Sequence, residues 1–286
     1  MITEDEYNLR PIWDAIFSIY KVVEGICDRH GLRYYVTDGT LIGAIRHKGF
    51  IPWDDDFDMS MPRSDYEKFI EIAKTELPPH LKFVNWKNTP EMSLLFGKVQ
   101  DSRVDEIVRI EKETGRSLSN GLFVDIFPID GYPTNPVEIA TTRIRAGILG
   151  CMIRFKTMKF SQQTLKGKIV WLMGLVFSLL LPWLRIEDCM RICERFLTRH
   201  PFEDSDSTGR ADLRVHMLNS KPLPRSAWGT GSLHEFHTGQ VRIPDGYDMY
   251  LRSLYGEYMT LPPESARHPS HGYLWRCPWC FGPTNK

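Results

Sequence analysis

The residues best able to do chemistry are crowded into "WDDDFD", residues 53–58, where four carboxylates fall within five positions. They follow the apolar run "GFIPW" and enclose Phe57. A solvated turn has little reason to alternate acids with large apolar side chains. The alternation continues through "DFDMSM", with Asp56, Asp58 and Ser60 on one face and Phe57, Met59 and Met61 on the other. That is the period of a strand. A strand sets Asp56 and Asp58 roughly 6.5–7 Å apart on one face. Two carboxylates so placed can hold one divalent cation or bridge two, and Mg²⁺ (or Mn²⁺) takes such a site together with water and substrate phosphates. Asp125, in "FVDIFP", is the natural third carboxylate from a neighbouring strand. Asp54 and Asp55 precede the strand and are expected at the rim. A calcium loop starting at Asp54 fits poorly, because Met59 stands where the loop needs Gly and Asp65 where it needs a bidentate Glu.

Gly39-Thr40 lies upstream, after the β-rich "LRYYVTD". A glycine there lets the backbone approach a phosphate closely, with N–H groups to cradle it. Arg46, His47 and Lys48 fall between this turn and the acids, and Lys98 and Arg103 lie further on. All five are candidates to neutralise phosphate charge.

The elements that must position these groups are legible in part. Apolar residues recur at helical spacing over 4–30, with Gly31 as a stop. "LIGAIRHK" reads as a short helix. "RSDYEKFIEIAKTEL" reads as a longer one, with Ser64 as its cap, Glu67 at the capping-box distance and Pro78-Pro79 at its end. "LKFVNW", "SLLFGKVQD" and "GLFVDIFPID" are strand candidates. Residues 137–200 turn helical, and "GQVRIPDGYDMYLRSLYGEYMTLPP" reads as a short strand or loop followed by an amphipathic helix. The order of strand, Gly-Thr, helix, D-x-D strand and Asp strand is that of the nucleotidyltransferase superfamily. The expected fold is α/β, a mixed β-sheet flanked by helices. One domain over 1–286 is expected, with its core at 30–135 and 212–272 and a helical insertion at 137–200.

The composition, 42% apolar and 25% charged, is that of a globular protein and argues against extended disorder. Zero formal net charge points to no nucleic-acid partner. Six cysteines are too few for a disulfide scaffold and suit a reducing, cytoplasmic setting. The acidic start "MITEDEYNLR" lacks the basic region of a signal peptide. Charge is nevertheless uneven. No acid lies between Glu138 and Glu187, while eight basic residues do, around the apolar "IVWLMGLVFSLLLPWL" at 169–184. Sixteen residues with Pro182 among them fall short of a bilayer span. Segment 143–185 therefore reads either as a buried helical hairpin or as a peripheral contact on the inner face of a membrane. At the C-terminus, Cys277 and Cys280 follow His268 and His271. A zinc site is conceivable there, although the simpler expectation is apolar packing beside Trp275 and Trp279. His234 and His237 in "HEFH" are expected in a polar loop.

The block "DGTLIGAIRHKGFIPWDDDFDMSMPRSDYEKF", residues 38–69, closely resembles the signature of the LicD family of bacterial phosphocholine transferases, whose core fukutin-type phosphoribitol transferases share. "FGKVQDSR", "GLFVDIFPIDGYP" and "YDMYLRSLYGEYMTLPP" are similar to further blocks of the family, with Glu257 where Asp is more usual. The resemblance implies Mg²⁺-dependent transfer of phosphocholine, or a related phospho-alcohol, from a CDP donor such as CDP-choline to a glycan or lipid-linked glycan hydroxyl, releasing CMP. It implies metal binding by Asp56, Asp58 and Asp125, with Asp125 also a candidate general base, and donor-phosphate contacts from Gly39 and Thr40. Two alternatives stay open: transfer of the nucleotide itself, and a non-catalytic metal- or phosphate-binding protein.

Overall fold

The computed structural model describes residues 7, 9–89, 93–103, 105–107, 121–157, 172–176, 179–210, 222–269 and 274–276. Helix α1 (Arg10–His30) opens with Pro at its first turn and ends at Gly31, whose φ of 62° is the left-handed cap that glycine adopts without strain. Its apolar stripe, from Ile12 and Ile16 to Val23 and Cys27, is buried in the main core.

The main sheet is built on strand β6 (Phe123–Tyr132), all ten residues of which are buried. On one side it pairs in parallel with β2 (Asp58–Pro62), which in turn pairs antiparallel with the two-residue β1 (Tyr35–Val36). On the other side two antiparallel strands lie end to end: β4 (Gly97–Asp101) against the first half of β6, and β7 (Ser207–Arg210) against the second. β3 (Leu81–Val84) extends the sheet beyond β4, and β8 (Leu223–Pro224) beyond β7. The expected α/β fold with a mixed sheet is therefore observed. Two small antiparallel pairs complete the strands: β5 (Asp105–Ile107) with β11 (Leu274–Arg276), and a hairpin of β9 (Ser232–Phe236) with β10 (Gly239–Ile243).

Helix α2 (Asp38–Arg46) starts earlier than the sequence pattern suggests, so Gly39 and Thr40 lie in its first turn. Helix α3 (Arg63–Glu76) follows β2 directly. Pro62 takes its cap position, and Ser64, the expected cap, donates instead to Glu203 at 2.6 Å. Arg63 holds α3 to the sheet through a bidentate pair with buried Asp130, at 2.8 and 2.6 Å.

Helices α4 (Pro136–Thr157) and α5 (Ile186–Leu197) form a second core, in which Ala146, Leu149 and Ile153 meet Cys189, Cys193 and Leu197. These two helices pack as a pair, and Ile144 and Ile148 of α4 remain exposed. Helix α6 (Tyr247–Tyr255) packs on α2. Among the described residues no helix is long and apolar enough to cross a membrane. Cys277, Cys280 and His271 lie outside the described residues, and the zinc reading with them.

Candidate functional site

Sheet register builds the centre of the site. Asp58 on β2 is the parallel neighbour of Asp125 on β6, and Asp125 is the antiparallel neighbour of Lys98 on β4. Neighbours in register project to the same face. Three strands therefore set a row of two carboxylates and one ammonium across the sheet. Lys98 is buried, its Nζ 2.5 Å from Asp125 Oδ1 and 3.5 Å from the centre of the Phe123 ring.

Strand β2 begins at Asp58, not Asp56, which corrects the simple parity argument. The local bonds give the reason. The Asp58 N–H donates to Thr40 Oγ1 at 2.8 Å, and pairing with β6 starts as the Asp125 N–H donates to the Phe57 carbonyl at 2.9 Å. Asp56 precedes the ladder, yet its charge still acts on Asp58. Burial pushes the Asp58 carboxyl well above the usual range, the charges of Asp56, Asp125 and Asp54 push it further, and Lys98 partly offsets them.

Asp54 is half-buried and does more than line the rim: its carboxyl hydrogen-bonds with that of Asp56, and its affinity for a proton is raised well above normal by loss of solvent, then by Asp56 and Asp55. Its backbone is fixed by the Trp13 indole, whose Nε1 donates to the Asp54 carbonyl at 2.7 Å. Asp55 is fully buried, with 1% of its surface exposed. Gly39 explains how Asp54 fits. A Cβ at Gly39 would lie 2.6 Å from Asp54 Oδ2, so the missing side chain admits the carboxylate against the first turn of α2. That helix end carries partial positive charge.

The structure separates the remaining candidates. Lys98 joins the acids and Thr40 holds the start of β2. Arg46 instead donates to the Tyr258 carbonyl at 2.6 Å, tying α2 to the segment after α6. Its pKa is lowered by burial and by Arg267 nearby. His47 accepts from Arg46 Nε at 2.9 Å, and burial and that guanidinium push its pKa down to about 4. Lys48 pairs with Glu235 at 3.1 Å on the surface. Arg103 turns back to Asp101 at 2.6 Å. His234 lies on β9 and His237 in the turn of the β9–β10 hairpin, where His237 Nε2 is 2.5 Å from Asp14 Oδ1.

Sequence reasoning missed Asp38. It is buried, takes a φ of 51° at the start of α2, and accepts hydrogen bonds from the hydroxyls of Tyr250 at 3.1 Å and Tyr255 at 3.2 Å. A non-glycine residue held in this region costs energy and persists only where its surroundings determine it. Nothing local in the sequence points to partners more than 200 positions away.

The oxygen-only donors Asp54, Asp56, Asp58 and Asp125 suit a hard cation such as Mg²⁺. The raised proton affinities of Asp54 and Asp58 show that the cluster gains from added positive charge. Among the described residues, no group of three or more His, Cys, Asp or Glu side chains is gathered closely enough to hold a metal as it stands. The Lys98 ammonium lies against Asp125 instead.

Comparison with known proteins places this geometry. The domain described as "LicD/FKTN/FKRP, nucleotidyltransferase domain" matches residues 31–160. The chain is 29% identical over 265 residues to the lipopolysaccharide cholinephosphotransferase LicD of Haemophilus influenzae, covering 89% of this chain and 92% of that protein. It is 31% identical over 131 residues to the human ribitol 5-phosphate transferase FKRP and 40% identical over 131 to the mouse protein. Each of those matches covers 45% of this chain and 22% of the relative. Residues 31–160, which hold the Asp58–Asp125–Lys98 row and the start of α2, are thus the part of the chain that is similar to the LicD/FKTN/FKRP nucleotidyltransferase domain.

Proposed function

We propose that the protein is a phosphotransferase that moves phosphocholine, or a related phospho-alcohol, from a CDP-activated donor to a hydroxyl of a cell-surface glycan and releases CMP. The observation that carries this reading is the registered row of Asp58, Asp125 and Lys98, with Asp54 and Asp56 beside it and the first turn of α2 against Asp54. The similarity to a cholinephosphotransferase along most of both chains supports the chemistry.

Phosphoryl-type transfer asks the protein mainly for positioning and for charge stabilisation. The chain's own groups divide this work. Asp56, Asp58 and Asp125 would have to draw together to hold divalent Mg²⁺, which would supply neutralisation of the donor diphosphate and activation of the acceptor hydroxyl. Lys98 balances part of the carboxylate charge and lies within reach of a phosphate oxygen displaced towards Asp125. The N–H groups of Gly39 and Thr40 belong to the first turn of α2, at its positive end and against Asp54, and would favour an anionic donor there. Asp125 is placed to accept the acceptor proton once its contact with Lys98 loosens.

The test is a donor screen. Purified protein is incubated with CDP-choline, CDP-ribitol or CDP-glycerol, Mg²⁺ and a glycan acceptor, and products are separated by chromatography. CMP formation from one donor is the expected result. Pyrophosphate from a free nucleoside triphosphate would instead mean nucleotide transfer. No product from any donor would favour a non-catalytic role.

A further inference from the structure

The α4 helix and the stretch that returns along it leave a large apolar surface uncovered. Ile144, Gly147, Ile148, Cys151, Met152 and Phe155 form one helical stripe on α4 and line a groove of about 410 Å³. The returning segment lies alongside. Lys156 donates to the Leu181 carbonyl at 2.9 Å, and Gly174 meets the backbone of Phe155 so closely that a Cβ there would stand 3.2 Å from its oxygen. In these two stretches Ile144 is 64% exposed, Leu179 71%, Leu180 68% and Trp183 72%. So many large apolar side chains left in water mark a contact with something else.

Charge indicates what that contact is. Between Glu138 and Glu187 the chain has eight basic residues and no acid. The whole chain has 36 basic and 36 acidic residues, so the remainder carries a formal charge of −8. The molecule is therefore polarised, with its positive part on the segment that carries the exposed apolar side chains. A second copy docking there would bring the same positive charge to the interface. A bilayer surface with anionic headgroups supplies both an apolar layer and the opposite charge.

We infer that the outer face of α4, with residues 172–176 and 179–184, forms a membrane-interface element, which inserts Leu179, Leu180 and Trp183 at the headgroup boundary while Arg145, Arg154 and Arg185 meet anionic lipid. Among the described residues no helix can cross a bilayer, so the element lies in the interface and does not span it. Trp183 matches the preference of its ring for that depth. The inference rests on surface and charge, and holds whichever reaction the acidic site performs.

The test is co-sedimentation of the full chain with vesicles of phosphatidylcholine alone and of phosphatidylcholine mixed with phosphatidylglycerol. Binding is expected with the mixed vesicles, at least about tenfold tighter than with phosphatidylcholine, and weakened between about 0.1 M and about 1 M salt as screening shortens. Leu179→Glu with Leu180→Glu should lower binding at least about tenfold with an unchanged melting temperature, because both side chains are exposed. Arg145→Glu with Arg154→Glu should remove the preference for anionic lipid. Trp183 emission should shift to the blue on the mixed vesicles, a change absent in Trp183→Phe. No binding to mixed vesicles would overturn the inference, as would binding unaffected by the leucine substitutions. A dimer in solution that those substitutions dissolve, without vesicle binding by the native chain, would assign the face to self-association instead.

Discussion

Asp58 is half-buried among like charges, which disfavours the folded state, and it is placed at the one register position where β2, β6 and β4 bring ionisable groups together. A residue kept at such a cost is expected to trade stability for activity. Asp58→Asn keeps the shape and removes a charge. It should raise the stability of the cation-free protein by about 1 kcal/mol while lowering turnover by about a thousandfold or more, the scale of losing a main electrostatic group. Thermal unfolding and CMP release measure the two effects on one preparation. Added Mg²⁺ should raise the melting temperature of the native chain, a gain of about 2.7 kcal/mol at a hundred times its dissociation constant, and leave Asp58→Asn nearly unmoved. Gly39→Ala tests the neighbouring contact. Its Cβ would collide with Asp54 Oδ2. Overpacking of this kind costs about 1–3 kcal/mol, and activity should fall because Asp54 is displaced; unchanged turnover and melting would show that Asp54 has other room. Lys98→Met leaves Asp125 buried without its ammonium and should cost about 3–5 kcal/mol of stability at neutral pH, read by urea unfolding.

At the scale of elements, the site depends on how α2 is moored. Thr37 Oγ1 meets Ser60 Oγ at 2.9 Å, Thr40 accepts from the Asp58 N–H, and Asp38 is held by two tyrosines of α6. Tyr250→Phe combined with Tyr255→Phe removes both bonds to Asp38. Stability should fall by about 1–3 kcal/mol and turnover about tenfold, since the first turn of α2 would be released beside the acids. Loss of stability with unaltered kcat and KM would reduce the clamp to a structural role. Much of this scaffold was legible in the chain. α1, α3 and the strand around Asp125 follow from apolar period and from Gly31 and the double proline after α3. The start of β2 was not, because alternation extends back to Asp56 while the ladder does not. What ends it is the Thr40 hydroxyl taking the Asp58 N–H, a long-range bond without a local signature. Asp54 was hidden for a similar reason: only the approach of Gly39 in space shows that a carboxylate enters there. Of the basic candidates, Lys98 could be found through the alternation of its strand, whereas Arg46 and Lys48 are spoken for by the Tyr258 carbonyl and by Glu235.

For the molecule as a whole, the clustered acids set a pH dependence. A carboxyl with a raised folded pKa holds its proton more tightly folded than unfolded, so its stabilising contribution is full below the unfolded value, near about 3.9, and is lost as pH rises through the folded one. Asp54 and Asp58 both act in this sense. His47, lowered to about 4, acts oppositely: its contribution is present above its unfolded value and lost as pH falls. Comparing the native chain with Asp58→Asn cancels the His47 effect. Without divalent cations, the native chain should lose more stability than the variant on going from mild acid to mild alkali, and saturating Mg²⁺ should reduce the difference. Equal pH profiles would mean that Asp58 is not held among unneutralised charges. The whole-molecule claim, that sheet register assembles a centre for phospho-alcohol transfer, is tested most directly by CMP release from CDP-choline, CDP-ribitol and CDP-glycerol with Mg²⁺, run side by side for the native chain and for folded Asp58→Asn. The account predicts CMP from at least one donor with the native chain and near-background release with the variant. Equal CMP release by both proteins would contradict it.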